Sequence, residues 1–134
     1  MALTRLNPDG LHQPPGYHHV TVASSARTAY LAGQCPLDSA GDVVGEGDVF
    51  AQVDQVVANT LAALASVGAG PTDVVRTVIY VTDAAGGSLG DVWRRLLDSP
   101  LAPAFTSAST LLGVSRLGFP GQLVELDVTA ALPD

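Results

Sequence analysis

Asp73–Asp83 reads DVVRTVIYVTD. In a strand, alternate side chains point to opposite faces, and here β-branched or aromatic residues dominate both alternating sets (Val75, Thr77, Ile79 and Val81 on one, Val74, Val78, Tyr80 and Thr82 with the single Arg76 on the other). A half-exposed strand would show polar residues on one of them, so this one is read as an interior strand. Helical patterns flank it. From Val49 to Val67, Phe50, Val53, Val57, Leu61 and Leu64 recur at helical spacing, with Asp48 as the N-cap and Gly68 as the stop. On the other side Leu89, Val92, Trp93 and Leu96 form one helical face, and Ser88 with Asp91 three residues on resembles a capping box.

Further out, HHVTVA (His18–Ala23) and TAYLAG (Thr28–Gly33) partly alternate, and the SSAR between them reads as a hairpin connection. The turn-rich NPDGLHQPPGY before them is an arm or loop. After the Pro100–Pro103 break, two final strands cover Phe105–Ser115 and Gln122–Ala131 and are joined through LGFPG. The predicted order is β-β-α-β-α-β-β, an α+β domain. Helices between strands favour crossovers onto one mixed sheet, with both helices on one face. The other face then needs cover of its own.

Composition bears on that cover. The chain has 134 residues, 47% of them hydrophobic and only 14% charged, with a mean hydropathy of +0.31. No linker or internal repeat divides it, so residues 1–134 are read as one domain. A domain of this size buries too little surface alone, and a homo-oligomer whose sheets face one another accounts for the scarcity of charge. Thirteen acids against six bases give a net charge of −7, and there is no lysine. That balance argues against nucleic acid, whose phosphates demand a basic patch, and against an acidic membrane surface. No run has the length of a membrane span, and MALTRLNPDG lacks the apolar core of a signal peptide. The sole cysteine, Cys35, makes neither an internal disulfide nor a metal framework. A cytoplasmic protein is expected.

PPGYHH (Pro14–His19), LAGQCPLD (Leu31–Asp38), GAGPTDVVRTVIYVTD (Gly68–Asp83), DVWRRLL (Asp91–Leu97), GVSRL (Gly113–Leu117) and LVELDVTA (Leu123–Ala130) follow one another at characteristic spacing. In that order they resemble the reactive intermediate deaminase family, also called Rid or YjgF, over almost the whole chain. The resemblance implies a chorismate-mutase-like fold and a homotrimer with clefts between subunits. It also implies small imine, enamine or keto-acid ligands, and hydrolysis to ammonia and a keto acid without metal or organic cofactor. In that family a tyrosine before the first strand lines the cleft, matching Tyr17, and a glutamate on the last strand holds the attacking water, matching Glu125. An arginine at the start of the fifth strand pairs with the substrate carboxylate; its position here is Ser109. The asparagine often found on the second helix corresponds to Gly90.

Each residue also has a plainer reading. Val124, Leu126, Val128 and Ala130 alternate with Glu125, Asp127 and Thr129, the pattern of any half-exposed strand. The resemblance moves Glu125 into the cleft and leaves Asp127 as ordinary surface. Gly33 and Gln34 offer backbone and side-chain amides to a ligand, or simply end a strand. Thr106, Ser107, Ser109 and Thr110 line a polar wall without the strand–turn–helix setting of a hydrolase nucleophile. Ser109 offers a neutral hydrogen bond where arginine would give a charge-assisted one. Arg116, seven positions on, falls on the opposite face of a regular strand. His18 is a candidate base or a surface residue, and the adjacent His18 and His19 point apart, which argues against a metal site. Cys35 reads as a small hydrophobe with no activating base in view, and Trp93 as core.

Two functions stay open. One is a noncanonical Rid enzyme hydrolysing an imine or enamine that lacks the usual carboxylate, with Glu125 positioning water, Tyr17 and Ser109 shaping the cleft, and Gly33, Gln34, Ser109 and Thr110 binding the ligand. The other is a trimer that binds a small molecule without catalysis. A third, the ribonuclease or translation-inhibitor role of some relatives, is disfavoured by the acidity and the missing lysines.

Overall fold

A computed structural model describes residues 2–87 and 89–133. Eight regular elements follow in order: β1 (Ala2–Leu6), β2 (Val20–Ser24), β3 (Thr28–Tyr30), α1 (Val49–Ala65), β4 (Val74–Thr82), α2 (Leu89–Leu97), β5 (Ala108–Val114) and β6 (Val124–Ala131). The main sheet has the order β3-β6-β4-β5. It is mixed, with β4 parallel to β5 and antiparallel to β6, and β3 antiparallel to β6. The interior strand expected at Asp73–Asp83 is therefore β4, paired on both edges.

Side-chain alternation divides this sheet sharply. Thr77, Ile79 and Val81 of β4 and Val124, Leu126, Val128 and Ala130 of β6 are buried. Both helices pack on that face, α1 against β6 and α2 against β5 and α1. The Asp48 carboxylate caps α1, accepting from the amides of Phe50 and Ala51 at 3.1 Å each, which satisfies two of the donors a helix start leaves unpaired. Gln52 reaches from α1 into the core at 0% exposure. Its amide donates to the carbonyls of Gly45 and Gly121 at 3.2 and 2.9 Å and accepts from the Leu123 amide at 2.7 Å. The loop before α1 and the loop before β6 are thereby tied to the helix.

The first strands differ from the expectation. His18–Ala23 and Thr28–Gly33 do not form a hairpin. β2 pairs with β1, a segment to which no element is assigned from sequence, and the two make a separate antiparallel ladder. The connection between β2 and β3 explains the separation. Ser25 Oγ donates to the Leu132 carbonyl at 2.8 Å, and the Leu132 amide donates to the Arg27 carbonyl at 3.0 Å. The chain is carried across the end of β6 rather than back along β2. The strand after Pro103 also starts later than predicted, because Ala102–Thr106 turns as a 3-10 helix before β5 begins at Ala108. The capping box read at Ser88 lies outside the described residues.

The face of the sheet away from the helices carries Arg76, Val78 and Tyr80 of β4, paired in register with Thr129, Asp127 and Glu125 of β6. Tyr30 on this face is 81% exposed and Leu112 is 41% exposed.

Candidate functional site

Where β5 forms the sheet edge, a cavity of about 720 Å³ opens between that strand, α2 and the loop ahead of β2. The loop contributes Pro15 and Tyr17, α2 contributes Gly90, Trp93, Arg94 and Leu97, and β5 contributes Ser109, Thr110 and Leu111. Local contacts hold the loop. The Trp93 indole donates to the Pro15 carbonyl at 2.9 Å. Gly16 sits at φ +106°, so a side chain there would strain the backbone, and its Cβ would pack in ordinary contact with Leu97. The Tyr17 hydroxyl shares a 3.0 Å hydrogen bond with His12 Nε2, and His19 Nε2 donates to the His12 carbonyl at 2.8 Å. Tyr17 and Trp93 stand edge to face, their centroids 6.2 Å apart.

Ser109 lies in this wall, opposite Thr77 in the β4–β5 register. Its hydroxyl accepts from Thr77 Oγ1 at 2.6 Å and donates to the Ser107 carbonyl at 3.1 Å. The group that stands where the resemblance implies an arginine is thus engaged within the protein. Thr110 Oγ1 accepts from Arg76 at 3.4 Å. Arg94, which pairs with Asp91 one helical turn away, is the charged residue lining the cavity.

Gly33, Gln34 and Glu125 form a second group. Beyond β3 the chain stays alongside β6, with Gln34 and Leu126 exchanging backbone hydrogen bonds of 2.7 and 3.1 Å. This lays Gly33 on the Glu125 side chain: a Cβ at Gly33 would stand 2.2 Å from Oε2. With the carboxylate in this position, only glycine fits. The Glu125 carboxylate accepts from the Gln122 amide at 3.0 Å and from the Cys35 thiol at 3.3 Å, both at Oε1. Cys35 is held in turn by Asn59 of α1, whose amide donates to the Cys35 and Leu37 carbonyls at 3.0 and 2.9 Å. Burial first, then the hydrogen bond to Glu125 and its negative charge, push the thiol up to about 11. Cys35 is therefore a protonated donor to a carboxylate at neutral pH, not the simple hydrophobe the sequence suggests.

The six sequence-derived site residues divide between these two groups: Tyr17, Ser109 and Thr110 line the cavity, whereas Gly33, Gln34 and Glu125 gather where β6 faces away from the helices. Arg116 joins neither. It lies past the end of β5, beside a different hollow formed with Phe119 and Gln122. His18 Nδ1 bonds the Thr106 carbonyl and helps fasten β2 to the start of β5. Trp93 packs on the core residue Phe105, centroids 5.8 Å apart, yet also lines the cavity. Arg94 and Gln122 are not singled out by the sequence, and His12 figures there only as a loop residue that does not complete a metal site with His18 and His19. Only the i, i+4 spacing of Arg94 from Gly90 carries a signal. Among the described residues no three His, Cys, Asp or Glu side chains gather to hold a metal ion, and no helix is long and apolar enough to cross a membrane.

The family model described as Endoribonuclease L-PSP matches residues 11–132. The chain belongs to the L-PSP family, also called Rid or YjgF. A RutC family protein of Synechocystis is 31% identical over 122 residues, covering 90% of this chain and 89% of its own. Protein DfrA of Myxococcus xanthus is 37% identical over 78 residues, and the match spans 58% of this chain and only 56% of DfrA. Among solved structures, the Rid-family protein YyfB of Yersinia pestis, itself of unknown function, superposes with a TM-score of 0.85. It is 31% identical, and the superposition covers 98% of this chain and 100% of YyfB. The Rid fold expected from the sequence motifs is thereby shown.

Proposed function

We propose that this Rid-family chain binds a small imine, enamine or carbonyl metabolite in a cleft between the subunits of a homotrimer and hydrolyses the C=N bond to ammonia and a carbonyl product. The observation that carries the reading is the fixed Glu125 carboxylate, held by Gln122 and Cys35 with Gly33 laid against it. Oε1 is occupied by both donors. A water bound to this carboxylate loses a proton to it as its oxygen adds to the imine carbon, and the nitrogen is protonated. The resulting carbinolamine collapses as its hydroxyl proton passes, by way of the carboxylate, to the nitrogen: the C–N bond breaks, ammonia leaves, and the carbon retains oxygen as a carbonyl.

The separation of the two residue groups supports a site shared between copies. One subunit offers the cavity of Tyr17, Ser109 and Thr110 at its sheet edge, and a neighbour offers Gly33, Gln34 and Glu125 from its open face. That face exposes Tyr30 and Leu112, apolar surface that a soluble protein covers by association. The expected partners are this chain itself and a small molecule, with neither nucleic acid nor membrane. The engagement of the Ser109 hydroxyl with Thr77 and Ser107 favours a second reading, in which the trimer binds its ligand without turnover.

Sedimentation velocity together with an ammonia-release assay on 2-imino acids, generated in place by an amino-acid oxidase, tests both. A trimer whose Glu125→Gln variant loses roughly 10²–10⁴-fold in rate supports the hydrolase. A stable monomer at micromolar concentration, or a variant as active as the parent, overturns it. Ligand binding by the parent without ammonia release selects the second reading.

A further inference from the structure

The cavity beside β5 is large for the small ligands expected of it, and its lining is of two kinds. Trp93, Leu97, Leu111 and Pro15 make an apolar wall, and polar groups stand around it. Its volume of about 720 Å³ falls within the usual range for sites that enclose drug-sized ligands, roughly 300–1,000 Å³. The two positions where the resemblance implies arginine and asparagine hold Ser109 and Gly90, and both line this space. Small residues there leave room that long side chains would fill.

Charge is present, but from another element. Arg94 projects from α2, one turn after Gly90, and is the charged member of the lining. Its pairing with Asp91 is no obstacle: both side chains are well exposed, at 69% and 43%, and exposed pairs one helical turn apart are weak. A guanidinium also has five donors in a planar fork, enough to keep one acid and accept another.

We propose that the cavity takes an organic acid with an aromatic-sized apolar body, the body lying against Trp93, Leu97 and Leu111 and the carboxylate on Arg94. This deepens the functional reading, since it rests on the cavity being the ligand site, but it does not depend on hydrolysis. A three-carbon acid leaves the apolar wall uncovered and gains only the ionic contact. An aromatic body without the acid gains only the wall. Together they give the selectivity.

The chain has one tryptophan, and it is Trp93, so its fluorescence reports occupancy directly. The probes are 3-phenylpropionate, propionate and the neutral 3-phenylpropanamide, titrated into the intact protein. We expect 3-phenylpropionate to bind at least tenfold tighter than propionate. Arg94→Met should weaken 3-phenylpropionate about tenfold while leaving 3-phenylpropanamide within twofold, which also shows that the variant keeps its cavity. Equal binding of propionate and 3-phenylpropionate overturns the proposal, as does an Arg94→Met variant that binds the acid unchanged. The ammonia-release assay on the parent separates this from the catalytic reading. Tight 3-phenylpropionate binding by a parent that releases no ammonia supports the ligand assignment and overturns hydrolysis alone. Ammonia release without the expected preference for 3-phenylpropionate over propionate overturns the ligand assignment alone.

Discussion

The Cys35 thiol donates a hydrogen bond to Glu125 across 3.3 Å, joining residues 90 positions apart on the loop after β3 and on β6. Burial and the neighbouring carboxylate both favour the protonated thiol, so its titration lies near 11. Iodoacetamide, which reacts with the thiolate, should therefore label Cys35 slowly at pH 8, the rate rising with a midpoint near 11. The Glu125→Gln variant should titrate lower, since two of the three raising causes are that carboxylate. For stability the sign follows from a folded pKa raised above the unfolded one: the contribution is whole below the ordinary thiol value and is lost as pH rises through about 11. A parent midpoint at the ordinary value would mean that the contact does not form.

Gly33 should tolerate no side chain without loss of the Glu125 geometry. A methyl group there would stand 2.2 Å from Oε2 and 2.8 Å from Cδ of Glu125, so the carboxylate must leave. Gly33→Ala should displace the carboxylate at little cost in stability, because the methyl meets the far end of a side chain that can swing away, and should lower the Cys35 titration midpoint. Urea denaturation and thiol labelling read the two effects separately. An alanine variant with the parent's midpoint would show that Glu125 accommodates the methyl in place.

Gln52 offers a test of what ties the loops to the core. Gln52→Leu keeps the volume but deprives the Leu123 amide and the Gly121 carbonyl of their partner, while the Gly45 carbonyl keeps the Asp48 amide at 2.8 Å. Each buried group left unpaired costs about 1–3 kcal/mol, so the loss from the two should reach roughly 2–5 kcal/mol, with partial access of water at the loops keeping it below the full sum. Chemical denaturation measures it. A loss below 1 kcal/mol would show that water replaces the amide at these loops.

These relationships differ in how far the sequence announces them. β4 is legible because β-branched residues occupy both of its faces, and α1 because Val53, Val57 and Leu64 recur at helical spacing behind the Asp48 cap. Such signals are local. The pairing of β2 with β1 depends instead on Ser25 and Arg27 engaging Leu132, more than a hundred residues away, and nothing in TAYLAG distinguishes a hairpin partner from a neighbour of β6. Tyr17, Ser109 and Glu125 were found through the family motifs. Their distribution between an edge cavity and the opposite sheet face follows from the β4–β5 and β4–β6 registers. Arg94 was hidden for another reason: an exposed arginine beside an aspartate on a helix looks like any surface pair until β5 closes the cavity against it.

The position of Ser109 yields the most direct test of substrate choice. An arginine there would meet a carboxylate with a bidentate, charge-assisted pair, whereas the serine hydroxyl already serves Thr77 and Ser107. The parent should hydrolyse 2-aminoacrylate, supplied by a pyridoxal-phosphate dehydratase, poorly or not at all. Ser109→Arg adds a charged partner worth about 1.5–3 kcal/mol, and the open space beside Gly90 admits its side chain. The kcat/KM on 2-aminoacrylate should then rise by roughly 10–100-fold, each tenfold step corresponding to about 1.4 kcal/mol. Thr77 is completely buried and loses its acceptor, so a modest drop in Tm should accompany the gain. Parent turnover already equal to that of Ser109→Arg would show that another cation holds the small carboxylate, and Arg94→Met in the same assay would identify it.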